Sequence, residues 1–203
     1  MQRTDTRKLT TLAIFTALII VLQLVSALLT RFVPALPVSI TLTLVPIVVG
    51  AALYGVSAGA YLGGVMGAVV LLFCILNLDL GGAMVWNANP FFCIIVCMVK
   101  GIAAGAVATL VYRAVHNKNQ IAGAICAGIA APVVNTGIFV LGMLLFFRPT
   151  LTLWTEGWAA NTGNAPNIML YIILGLAGIN FLLELCVNLV LAPVIVRIIN
   201  ARQ

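Results

Sequence analysis

Asn180-Phe181-Leu182-Leu183-Glu184-Leu185-Cys186-Val187-Asn188 lies within a hydrophobic run from Pro166 to Arg197 whose single acid is Glu184. Asn180, Glu184 and Asn188 are spaced i, i+4 and i+8, so on a helix they form one polar stripe through apolar surroundings. Such a stripe is expensive at membrane depth and faces a protein interior or cavity rather than lipid. The rest of the chain must therefore supply a bundle for it to face.

The composition agrees. The chain of 203 residues is 64% hydrophobic and only 7% charged, with a mean hydropathy of +1.23. A soluble domain of this size would need far more polar surface. Repeated apolar runs of about twenty residues point to helices, because barrel strands would alternate with a period of two. The expectation is an all-α membrane protein, a six-transmembrane-helix bundle, with residues 1–203 forming a single membrane-embedded domain. The net charge of +6 does not indicate nucleic acid, because the basic residues form no patch and sit mostly at span ends.

The spans follow in order. Span one runs from Leu9 to Leu29 behind Arg3, Arg7 and Lys8; it is longer than a signal-peptide core and reads as a retained helix. Its Ala13 and Ala17 leave a smooth strip, read first as packing inside the bundle. A loop with Pro34 and Pro37 leads to a short span two, Val38 to Leu53, containing Pro46. Span three, Ala58 to Leu76, carries Gly59, Gly63 and Gly67 on one face, a close-packing series. Asn77 to Asn89 reads as a loop holding Asp79 and Trp86. Asn89-Pro90 opens span four, which reaches Tyr112 and holds Lys100, Gly101 and Gly105. Span five, Ile121 to Phe147, is broken by Pro132 and followed by Asn135. Arg148 to Ala165 reads as the longest loop, with Trp154, Glu156 and Trp158, before span six.

Charge sets the orientation. With an inside N-terminus, the inner segments hold Arg3, Arg7, Lys8, Arg113, Lys118, Arg197 and Arg202, and the outer loops only Arg31 and Arg148. That bias puts both termini in the cytoplasm.

Lys100 and Glu184 are the charged residues deep in the spans. At about 1.5 Å per residue, Lys100 lies roughly 15 Å below the outer end of span four, and Asn135 and Asn180 roughly 18 Å below theirs. Glu184 is deeper, at roughly 24 Å. Two readings follow. Lys100 and Glu184 form a buried ion pair that fixes helix register, or Lys100 or Arg148 neutralises a substrate carboxylate while Asn135, Asn180 and the loop tryptophans Trp86 and Trp154 fix the remainder. Glu184 and Asn188 are read as holding the bundle together.

No catalytic set is present. The sequence has no GxxxxGK[ST], no GxSxG and no HExxH, and its single histidine, His116, lies in a basic link. All five cysteines lie inside apolar runs; Cys93 and Cys97 share a helix face, with no histidine or carboxylate beside them in sequence, and read as small core residues. Neither a metal nor a cofactor is expected. Binding or transport powered by another protein is.

Several ordered segments carry a resemblance. They are Ala13-Ile14-Phe15-Thr16-Ala17, Pro46-Ile47-Val48-Val49-Gly50-Ala51 with Tyr54-Gly55, Asn89-Pro90 leading to Lys100-Gly101, Ala131-Pro132-Val133-Val134-Asn135-Thr136-Gly137, and Asn180 to Leu185 with Asn188. In this order the chain resembles the substrate-binding S component of energy-coupling-factor (ECF) vitamin transporters, closest to the pantothenate and riboflavin branch. The resemblance implies a non-enzymatic vitamin-binding subunit of the bacterial plasma membrane. It implies docking on a membrane coupling protein that carries two cytoplasmic ATPases, with Ala13 and Ala17 on the docking surface. It also implies a substrate site under the first loop, among the outer halves of spans four to six. Pantothenate, with its carboxylate, amide and hydroxyls, suits one cation and several asparagines. Riboflavin would use the stacking surface of Trp86, Trp154 and Trp158. A self-sufficient secondary transporter is the rival class, yet only Pro46 and Pro132 hint at the internal repeat such proteins show.

Overall fold

The computed structural model describes residues 2–32, 43–176 and 178–200; side chains at 2–5, 29–32, 179–180, 192–195 and 198–200 lie outside the description. The expected proline loop with Pro34 and Pro37, and the first part of span two, fall outside it as well.

The described residues form an all-helical bundle. Five helices are long and apolar enough to cross a membrane, over Thr6–Leu28, Val56–Ile75, Pro90–His116, Gln120–Phe146 and Ile168–Leu191. The elements are α1 (Gln2–Phe32), α2 (Leu44–Tyr54), α3 (Val56–Ile75), α4 (Leu80–Ala88), α5 (Pro90–His116), α6 (Gln120–Phe146), α7 (Arg148–Thr162), α8 (Ile168–Tyr171), a π-helical turn (Ile172–Leu176) and α9 (Gly178–Asn200). Helix α2 has 11 residues, too short alone to cross about 30 Å of hydrocarbon. Because α2 starts at Leu44, Pro46 sits in its first turn, where no intrahelical N–H bond is lost.

The helix starts are written locally. The Asn89 side chain accepts from the Phe92 N–H with Pro90 at the first position, and the Asn119 side chain accepts from Ile121 and Ala122. Gly55, at φ 87°, makes the turn between α2 and α3, a conformation few other residues adopt. The Arg113 side chain lies against that turn, so the C-terminal end of α5 and the α2–α3 turn share one end of the bundle. Arg113, His116 and Lys118 make this the basic end. Helices α4 and α7 pack together at the opposite, capped end.

Glycines set the central crossing. A Cβ on Gly59 would strike the Gly105 carbonyl, one on Gly63 the Gly101 carbonyl, and one on Gly67 the Cys97 carbonyl. Each step of four along α3 thus matches a step of four back along α5, an antiparallel contact of bare backbones that stands in for the missing hydrophobic drive in lipid. Leu44, Ile47, Leu62, Met66 and Met143 are fully buried around it. The lipid side keeps its apolar residues outward, Leu110, Leu141 and Val190 among them.

Three expectations are corrected. The segments read as loops at 77–89 and 148–165 are largely helical, as α4 and α7. Span six is not a continuous α-helix, because the π-helical turn interrupts it before the polar stripe. Each has a local cause. Asp79 caps α4 by accepting from the Gly82 N–H, while α7 begins with Pro149 in its first turn and ends at Gly163 in the left-handed conformation. Near the π turn, Gly175 meets the Tyr171 ring and Gly178 meets the Ile173 carbonyl, where side chains would not fit.

Candidate functional site

At the capped end, α3, α4, α5, α6 and α7 enclose a cavity of about 30 Å³. Its polar wall is Asp79, Lys100, Cys74, Cys93 and Cys97, and its aromatic wall is Phe139 and Trp154. Lys100 is 9% exposed and holds its ammonium over the Phe139 ring, 4.9 Å from the centroid. A desolvated cation in this geometry gains about 2 kcal/mol from the ring. The Trp154 indole N–H of α7 points to the Met84 sulfur of α4 at 3.1 Å, joining the two capping helices above the cavity.

The positions anticipated from sequence separate into groups. Lys100 and Trp154 meet at the cavity. Trp86 packs partly buried against the core but does not line it. Arg148 is exposed at the start of α7, its carbonyl accepting from the Thr152 hydroxyl. Asn135 is buried on α6, its side-chain oxygen without a hydrogen-bond partner among the described residues, and lies outside the cavity wall. The side chain of Asn180 lies outside the described residues. Ala13 and Ala17 are exposed on α1, so they face away from the bundle rather than packing inside it.

Glu184 and Asn188 are 1% exposed on α9. Asn188 packs on Gly128 of α6, one turn before Pro132, whose missing N–H leaves the Gly128 carbonyl without its helical donor. Lys100, by contrast, faces the cavity, and Glu184 is not part of its wall. Asn188 therefore belongs to the α6–α9 packing and Lys100 to the capped end.

Sequence reading missed Asp79, Phe139 and the thiols as cavity residues. Cys93, Cys97 and Lys100 are spaced i, i+4 and i+7, which places them on one face of α5. The glycine register then brings Cys74 of α3 against them.

Comparison with curated proteins and with solved structures finds no match. The family described as "ECF transporter, substrate-specific component" matches residues 7–196, nearly the whole helical bundle. The chain belongs to that family: it is a multi-pass cell-membrane protein, not an enzyme, that binds a small-molecule substrate for uptake with an ECF module.

Proposed function

We propose that the substrate is a carboxylate-bearing B vitamin, pantothenate first, and that it binds at the capped end with its carboxylate on Lys100. The observation that carries this reading is a buried ammonium, held over Phe139, facing a cavity roofed by Trp154. A buried cation without solvent is costly, and an anionic ligand offsets that cost. The cavity of about 30 Å³ is far below the roughly 300 Å³ or more that a vitamin-sized ligand occupies. Entry therefore requires α4 and α7 to part, and the Trp154–Met84 contact is the latch between them. Arg148, Asn135 and Asn180 serve as further polar contacts once the cap has opened, with Trp86 and Trp154 as flat surfaces. Riboflavin remains the second reading because of the Trp154 and Trp158 rings near the cap.

In this account both termini are cytoplasmic, and Ala13 and Ala17 form the strip that meets the coupling protein of a module with two ATPases. Their exposure supports that role. A thermal-shift screen of the purified protein against B vitamins tests the substrate assignment. Pantothenate should raise the melting temperature more than any other vitamin; stabilisation by a vitamin without a carboxylate, and none by pantothenate, would refute it.

A further inference from the structure

The proposed vitamin site assigns no role to the three thiols of the cavity wall. The Sγ atoms of Cys74, Cys93 and Cys97 lie within 4.8 Å of one another, and the three residues are 2%, 1% and 6% exposed. They come from two helices locked by the glycine crossing, so their spacing is fixed by backbone packing. Cys93 and Cys97 stand one turn apart on α5, and Cys74 arrives from the end of α3. Gly82 completes the enclosure: a Cβ there would collide with the Cys74 sulfur and press on the Asp79 carboxyl carbon.

We propose that this triad binds one borderline-soft divalent cation of the zinc class. Three observations converge. The donors are soft sulfurs, which select zinc-like or softer ions over magnesium or calcium. At the outer limit of their spacing, an ion centred among them would sit about 2.8 Å from each sulfur, against about 2.3 Å for a zinc–thiolate bond. Small rotations of the side chains close that gap. The cavity of about 30 Å³ is the size of an ion with a water, not of a vitamin.

Charge favours a divalent over a monovalent ion. Binding converts three thiols to thiolates and releases three protons to solvent. Three thiolates and the Asp79 carboxylate against one divalent cation and the ammonium of Lys100 leave a single net negative charge, whereas a monovalent ion would leave two in a low-dielectric site. Three protein ligands leave the fourth tetrahedral position facing the cavity, open to a water or to a ligand oxygen.

The test uses the intact chain, purified in detergent under reducing, anaerobic conditions. Zinc is titrated against a competing chelator and counted by elemental analysis after dialysis, and cobalt(II) is added to a parallel sample as a spectroscopic probe. The proposal expects one zinc per chain, a thiolate-to-cobalt charge-transfer band, and an affinity loss of at least about tenfold in each of Cys74→Ser, Cys93→Ser and Cys97→Ser. Cys126→Ser and Cys186→Ser should leave the stoichiometry unchanged. Should a serine variant not fold, the cobalt spectrum of the unaltered protein decides the matter. Folded protein that retains less than about one zinc in ten chains, or binding that survives Cys97→Ser, would overturn the site. Vitamin binding measured on the same samples separates the two claims, since protein that binds the vitamin but takes up no zinc overturns this inference alone.

Discussion

Lys100 shows how one residue changes meaning between sequence and structure. In the sequence it is a cation at membrane depth that either pairs with Glu184 or meets a ligand. In the structure it faces the capped cavity with its ammonium above Phe139, and Glu184 is not part of that cavity's wall. In the proposed account the ring orients the cation for an incoming carboxylate. Replacing Phe139 with Leu keeps the apolar bulk and removes the ring face, so vitamin affinity should fall by roughly 1–2 kcal/mol, about five- to thirtyfold. Isothermal titration of the Phe139→Leu protein measures this, and unchanged affinity would show that the ring does not set the lysine. The position of Lys100 along α5 was legible from sequence. Which way Lys100 faces was not, because that depends on how α5 packs against α3 and α6.

At the scale of elements, the α3–α5 crossing is the part most fully written in the chain. Gly59, Gly63 and Gly67 recur every four residues and meet Gly105, Gly101 and Cys97 in reverse order. Gly63→Ala places a methyl group against the Gly101 backbone, which cannot move aside, and should destabilise by about 1–3 kcal/mol or abolish folding. Gly64→Ala meets only the Ile102 side chain at 3.4 Å and should be nearly neutral. Melting curves in detergent compare the two, and equal losses would remove the crossing from its central position. The sequence of α4 reads as a loop because it is only nine residues long and has Gly81-Gly82 in its first turn, and that of α7 because its mixed polar composition masks the helical pattern. Thr150, Leu151, Thr155 and Ala159 nevertheless form the buried side of α7. The first-turn Pro149, the cap at Gly163 and the Asp79 cap were visible signals of helix ends. The π-helical turn had none, since it arises from how Tyr171 and Gly175 pack. A Met84→Ala change should speed vitamin dissociation by severing the Trp154 latch, read by stopped-flow chase with excess unlabelled vitamin; an unaltered off-rate would show that α4 and α7 do not gate the site.

At the scale of the whole molecule, composition and run length alone gave the class, because a chain this apolar has too little polar surface to offer water. The family match over residues 7–196 then makes it a substrate-binding component that works with an ECF module. Two opposite surfaces divide the task in the proposed account, the capped cavity for substrate and the exposed Ala13–Ala17 strip for the module. Ala13→Leu with Ala17→Leu should leave vitamin binding within about twofold and reduce uptake by cells at least tenfold, because added side chains block close helix approach. Radiolabelled uptake beside binding by the purified variant makes that comparison, and normal uptake would remove the strip from the docking surface. The central claim is that the vitamin's carboxylate rests on Lys100. Calorimetric titration of pantothenate into the unaltered protein and into Lys100→Met tests it most directly. The account expects one-to-one binding that weakens by at least about 2 kcal/mol, roughly thirtyfold, in a variant that melts like the parent. Equal affinity in the two folded proteins would contradict it.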